Sequence, residues 1–209
     1  MSDNGKTADN QQATLFMRGA SETIRRAPLE NAVVEAYLQG ALHDGTFSSN
    51  KRFRFSQKGT EWLLLLKDCL KQMGFSSWIY REGKDRGVFV LETLAKFLDF
   101  NFDPRNLPDQ ESKISYIRGF FDAEGGIPHN YNNRFYIQLV QKNKPKIELL
   151  KKLLNELDIK TGVIHNPSKR VDPNYWRVYV LADSQARFID KIGSWHPRKK
   201  IILDQRMKI

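Results

Sequence analysis

Two apolar stretches of this chain each end on an acidic residue followed by glycine, and that repeated ending constrains the fold more than any other feature. In residues 114–127, Ile114, Ile117, Phe120 and Phe121 recur at helical spacing. Gly125 and Gly126 stand where a helix stop is expected. Asp122 and Glu124 fall in the last turn, at the negative end of the helix dipole, where carboxylates cost up to about 1 kcal/mol. A cation should offset them, and a divalent metal suits the position. Residues 35–45 repeat the arrangement and end on Asp44-Gly45. Both helices carry glycine in the body, Gly40 and Gly119, at about 1 kcal/mol each against alanine. Close approach of two helix backbones would account for both glycines. Helices packed in that way bring Asp44 and Glu124 side by side as a paired-carboxylate metal site, with Asp122 turned elsewhere as a cap or interface residue.

The rest of the chain reads as a duplication around these helices. Residues 51–57 alternate basic and aromatic side chains, a strand signal. A helix over 61–73 follows, then a hairpin of 78–81 with 87–91, then a short helix over 93–100. Residues 103–111, rich in Pro and Asp/Asn, form a linker. The second half repeats the order with a helix over 112–124, strands at 134–141, 161–165 and 175–180, and helices over 145–157 and 184–192. Gln57-Lys58 recurs as Gln141-Lys142. The predicted fold class is α+β, two pseudo-symmetric αββαββα halves with antiparallel sheets and helices on one face. The predicted organisation is an arm over 1–28, a first half over 29–102, the linker, and a second half over 112–209. The arm is either flexible or a DNA-contacting extension through Arg18, Arg25 and Arg26.

The sheet face away from the helices needs polar residues. In the first half it takes Arg52, Arg54 and Ser56, and by extension Thr46, Ser48, Asn50, Ser77 and Arg81. In the second half it takes Arg134, Tyr136 and Gln138, and by extension Asn130, Thr161, His165, Tyr175, Arg177 and Tyr179. Arg reads guanine edges, Gln and Asn read adenine, and basic side chains neutralise phosphate. A net charge of +10 makes an acidic polymer the expected partner. One cysteine, Cys69, excludes a disulfide framework and a cysteine-based zinc site, and its apolar helix makes it a core residue. His43, His129, His165 and His196 show no zinc spacing. No run approaches a membrane span, and no secretory segment is recognisable. The expectation is a soluble intracellular protein of the cytoplasm or an organelle matrix.

Residues 117–125 resemble the LAGLIDADG motif of the homing endonucleases, and 37–45 resemble a degenerate first copy. Gly40 to Gly45 is one residue shorter than Gly119 to Gly125, and His43 stands where that family usually has a small residue. The resemblance covers about 30–203 and implies the two-motif, single-chain form. It implies a monomer whose saddle of paired sheets straddles double-stranded DNA. The implied activity is Mg²⁺-dependent hydrolysis of both strands of a long pseudo-palindromic site, leaving short 3′ overhangs, with Ca²⁺ or Mn²⁺ as substitutes. Asp44 and Glu124 would hold the metal. Gln57, Gln141, Lys58 and Lys142 would surround it, orienting water and balancing phosphate charge. Lys199 or Lys200 would be the C-terminal basic residue, with Lys113 as its first-half partner. Such proteins spread introns or inteins, and with no intein splice residues an intron-type protein is expected. The alternative is a non-cleaving relative, an intron RNA maturase or a DNA-binding regulator. A ribosome-associated RNA-binding protein would explain the charge but not the paired acid-glycine ends.

Overall fold

The computed structural model describes residues 30–84, 86–130 and 132–206. The N-terminal arm, with Arg18, Arg25 and Arg26, lies outside them. The first half runs α1 (Asn31–Ala41), a 3₁₀ turn (Leu42–Asp44), β1 (Thr46–Phe47), β2 (Phe53–Lys58), α2 (Glu61–Gln72), β3 (Ser77–Glu82) and β4 (Val88–Thr93). After a 3₁₀ turn (Pro104–Asn106), the second half runs α3 (Gln110–Glu124), β5 (Gly125–Gly126), β6 (Gln138–Gln141), α4 (Lys144–Glu156), β7 (Trp176–Tyr179), α5 (Gln185–Lys191) and α6 (Pro197–Arg206). The fold is α+β with two antiparallel sheets, ordered β1-β2-β4-β3 and β5-β6-β7. No helix among the described residues is long and apolar enough to cross a membrane.

Helices α1 and α3 form the seam. A Cβ on Gly40 would lie 2.0 Å from the Tyr116 carbonyl oxygen, and one on Gly119 would lie 2.0 Å from the Tyr37 oxygen. The reciprocity gives a pseudo-twofold contact in which only glycine fits. Each half has its own core beside this seam. Leu38, Phe55, Leu63, Leu66 and Leu91 fill the first. Ile117, Phe121, Leu139, Ile147, Leu154 and Phe188 fill the second.

Three expected elements differ. The helix expected over 93–100 is absent: β4 runs to Thr93, and turns follow. Gln39 supplies the reason, since its Nε2 donates to the Phe97 carbonyl at 2.6 Å and its Oε1 accepts from Asp99 N at 3.2 Å. Those bonds occupy the backbone groups that a helix would use, while Ala95 and Leu98 anchor the loop in the core. The strand expected over 134–141 starts only at Gln138. The strand expected over 161–165 is reduced to two bridges, Thr161 with Val180 and His165 with Arg177.

Candidate metal centre and nucleic-acid interface

The shorter first motif reaches as far as the second because its last turn is wound more tightly. Five α-helical steps from Gly119 to Glu124 advance about 7.5 Å. From Gly40 to Asp44, one α-helical step and three 3₁₀ steps also advance about 7.5 Å. Asp44 therefore stands at the tip of the first helix as Glu124 does at the second. Crowding by protein atoms raises the Asp44 carboxyl to about pKa 6, partly opposed by the charge of Lys199 and a hydrogen bond from Gln57. Gln57 Nε2 donates to Asp44 Oδ2 at 3.2 Å. Burial, then the charge of Asp44, raises Glu124 to about 7. The two carboxylates repel one another, and a dication between them would relieve both. No group of three or more His, Cys, Asp or Glu side chains able to hold a metal occurs among the described residues. Two carboxylates, with water and phosphate oxygens completing the shell, suit Mg²⁺ better than a zinc cage.

The cation expected at the C-terminal end of α3 is supplied by the protein itself. Lys199 is buried, and its ammonium donates to the carbonyls of Phe121 (2.6 Å), Asp122 (2.9 Å) and Gly125 (2.7 Å). Burial lowers its pKa to about 8. All three donors are taken, so Lys199 caps the helix. Lys200 is exposed, and Lys113 pairs with Glu156 at 2.9 Å, away from the first motif. Asp122 is buried and accepts from Tyr37 Oη (2.7 Å), Trp195 N (2.9 Å), His196 N (3.0 Å) and Ser194 Oγ, the interface role expected of it.

Around the tips, Lys58 and Lys142 are exposed, and the charge of Lys142 acts on Glu124. An open cleft of 560 Å³ beside Gln57 and Lys58 is also lined by Glu61, His196, Arg198 and Ile201. Gln141 is held differently from Gln57. Its Oε1 accepts from Lys142 N at 2.7 Å, which turns its Nε2 to His43 Nδ1 at 3.3 Å. Nδ1 is then the acceptor, so the neutral ring carries its proton on Nε2 and donates to Tyr116 Oη at 2.7 Å. Burial lowers His43 to about pKa 3 and keeps it neutral.

The sheet registers sort the expected face residues. In the first sheet, Arg54 pairs with Glu92, which in turn pairs with Trp78. Thr46, Arg54, Ser56, Trp78, Tyr80, Glu82 and Glu92 therefore share the face away from the helices. Ser77 and Arg81 alternate onto the opposite face with Ile79, and their expected place on the outer face is corrected. Arg52 stacks over Trp78 at 4.7 Å, while Ser48 and Asn50 lie in the turn before β2. Glu82 and Glu92 were missed, although counting by twos outward from Arg54 across the paired strands reaches both.

In the second sheet, Gln138 pairs with Tyr179, and His165 bridges Arg177. Tyr136 meets Tyr179 edge-on at 5.9 Å, and His165 stacks on Tyr179 at 5.8 Å. Arg177 donates to Tyr179 Oη (2.9 Å) and Tyr175 Oη (3.1 Å). Asn130 and Arg134 are exposed before β6. Thr161 is the exception. It pairs with the buried Val180, and a one-residue slip before the His165 bridge turns it to the core side.

A model of the LAGLIDADG-like domain matches residues 111–193. I-DmoI in complex with DNA and Ca matches with a TM-score of 0.63 at 18% identity, over 84% of this chain and 98% of that one. Full-length DUF199/WhiA from Thermatoga maritima matches with a TM-score of 0.64 at 17% identity, over 88% of this chain and 64% of that one. The N-terminal LAGLIDADG domain of DUF199/WhiA matches at 0.63 and 18%, over 81% of this chain and 87% of that one. At these identities the likeness is one of fold. No curated protein matches the chain at a significant level.

Proposed function

We propose that this chain, which belongs to the LAGLIDADG family, is a site-specific endonuclease that hydrolyses both strands of duplex DNA with a divalent metal held by Asp44 and Glu124. The observation that carries this reading is the convergence of two carboxylates, on separate helix tips, into one repelling and desolvated pair. When bound, Mg²⁺ would acidify the attacking water and stabilise the leaving 3′ oxygen. Gln57 orients the Asp44 carboxylate, and Gln141 reaches across from the second half to hold His43, the neighbour of Asp44. Lys58 and Lys142 are the exposed ammonium groups that balance charge on phosphate. Arg52, Arg54, Arg177 and their aromatic neighbours hold the duplex on the two sheets.

The domain division follows the same reading, a first half over 29–102 and a second over 112–209 joined by the linker. The chain acts as a monomer on a long pseudo-palindromic site, leaves short 3′ overhangs, and takes Mn²⁺ or Ca²⁺ in place of Mg²⁺. I-DmoI crystallised with DNA and Mn or Ca supports a divalent metal in this fold.

One observation favours a second reading, binding without cleavage on DNA or intron RNA. Lys199 spends all three donors on carbonyls and offers none to a phosphate. Incubation with Mg²⁺ and a randomised duplex library, followed by sequencing of fragment ends, separates the two. Paired breaks at recurring sites support the nuclease. Retention of duplex without breaks, under Mg²⁺ and Mn²⁺ alike, supports the second reading.

A further inference from the structure

The two sheet faces carry cations in opposite electrostatic settings. On the first, Arg54 Nη2 contacts Glu82 at 2.6 Å, and its Nε lies 3.3 Å from Glu92. Arg52 Nη1 contacts the same Glu92 at 3.2 Å, and Tyr80 Oη donates to it at 2.7 Å. The Glu92 side chain is only 9% exposed, so the carboxylate is a fixed part of the face. Two arginines are thus closed by two carboxylates. On the second face, Arg177 is met by two phenols, and no ion pair joins it to a carboxylate among the described residues. From Gly125 to Ile147 the sequence contains no Asp or Glu. Asp172, in the loop before β7, accepts from the Asn174 backbone at 3.0 Å.

We propose that the faces divide the work on duplex DNA unequally. The second, built on Arg177, supplies sequence-indifferent phosphate affinity. The first is held charge-balanced by Glu82 and Glu92, which suppress such binding in that half. This rests on the reading of duplex DNA as the substrate. A carboxylate repels phosphate at any sequence and accepts only from base amino groups such as cytosine N4. Arg52 and Arg54 therefore contribute only where a base or a well-placed phosphate replaces their carboxylate partners, which makes Glu82 and Glu92 specificity-determining residues.

The test is binding of a random-sequence duplex of about three helical turns without divalent metal, at 50 and 200 mM salt. Each phosphate contact adds about 0.9 to the salt slope, or about 3.5-fold between those concentrations. Glu82→Gln should bind tighter than wild type and lose about 3.5-fold more affinity on adding salt. Glu82→Gln with Glu92→Gln should lose about 12-fold more. Arg177→Gln should lose about 3.5-fold less. Glu82→Gln changes the more exposed carboxylate, so it reports even if the double variant melts early. Carboxamide variants with the wild-type salt response would overturn the division of labour while leaving DNA binding intact. A wild-type chain that binds no duplex would overturn the DNA reading itself, and this inference with it.

Discussion

His43 and Asp122 occupy equivalent positions on the two seam helices, and each is met at 2.7 Å by a tyrosine of the opposite helix, Tyr116 and Tyr37. Gly40 and Gly119 stand at the same 79-residue offset as these pairs. The crossed bonds lock the helices one residue before Asp44 and two before Glu124. The sides are chemically unequal. Asp122 is a buried carboxyl surrounded by donors, while His43 is a neutral ring that hands its second nitrogen to Gln141. Asp122→Ala would leave the Tyr37 hydroxyl and the Trp195 backbone N–H without an acceptor, while His196 N would keep only Ser194 Oγ at 3.1 Å. It should cost about 3–5 kcal/mol in urea unfolding, and Asp122→Asn clearly less.

The seam glycines give an opposite-sign test of propensity against packing. In an open helix, Gly→Ala stabilises by about 1 kcal/mol. A methyl group 2.0 Å from a carbonyl oxygen of the other helix cannot be accommodated without moving a backbone. Gly40→Ala and Gly119→Ala should each destabilise by about 3 kcal/mol or more. Calorimetric melting checks this, and a rise in Tm for either variant would contradict the close approach.

His196 should make the fold acid-sensitive. Its ring stacks on Trp62 at 5.6 Å, and burial together with the charges of Lys199 and Arg198 lowers its pKa to about 4. Unfolded, it titrates near 6.5, so between about 6.5 and 4 the unfolded chain binds more protons. Its contribution is present above 6.5 and is lost as pH falls through that window. His43 acts in the same direction. Melting of His196→Gln should therefore fall less than wild type between pH 7.5 and 4.5.

The seam and the tips were legible in the sequence because glycine inside a helix and acid at its end are both locally unfavourable. Such conflicts need a tertiary reason, and each pointed to one. The reason for the acid was only half legible. The charge expected at the end of α3 is present, but as Lys199, brought from 75 residues away by α6, which helical periodicity cannot announce. The face residues failed in a different way. Arg54 and Tyr136 follow from alternation within one strand. Ser77, Arg81 and Thr161 needed the register between strands, and a one-residue slip turns a side chain to the other face. The missing helix after Thr93 depended on Gln39, a residue 58 positions from the carbonyl that it holds.

The paired carboxylates should separate cleavage from stability. At pH 8 both are ionised beside one another in surroundings that disfavour charge, so the neutral isosteres Asp44→Asn and Glu124→Gln remove a repulsion without removing volume. In chelator, each variant should melt at or above the wild-type temperature. Metal should raise the wild-type melting point and lose that effect in both variants, since a ligand specific to the folded state stabilises by mass action. Cleavage should fall at least about a hundredfold, beyond the 10–100-fold typical of a residue that only supports a ligand. Duplex binding should hold or tighten, because a negative charge facing phosphate is gone. A variant that melts well below wild type in chelator would instead make these acids part of the scaffold, and one that still cuts at wild-type rate would remove it from the metal centre.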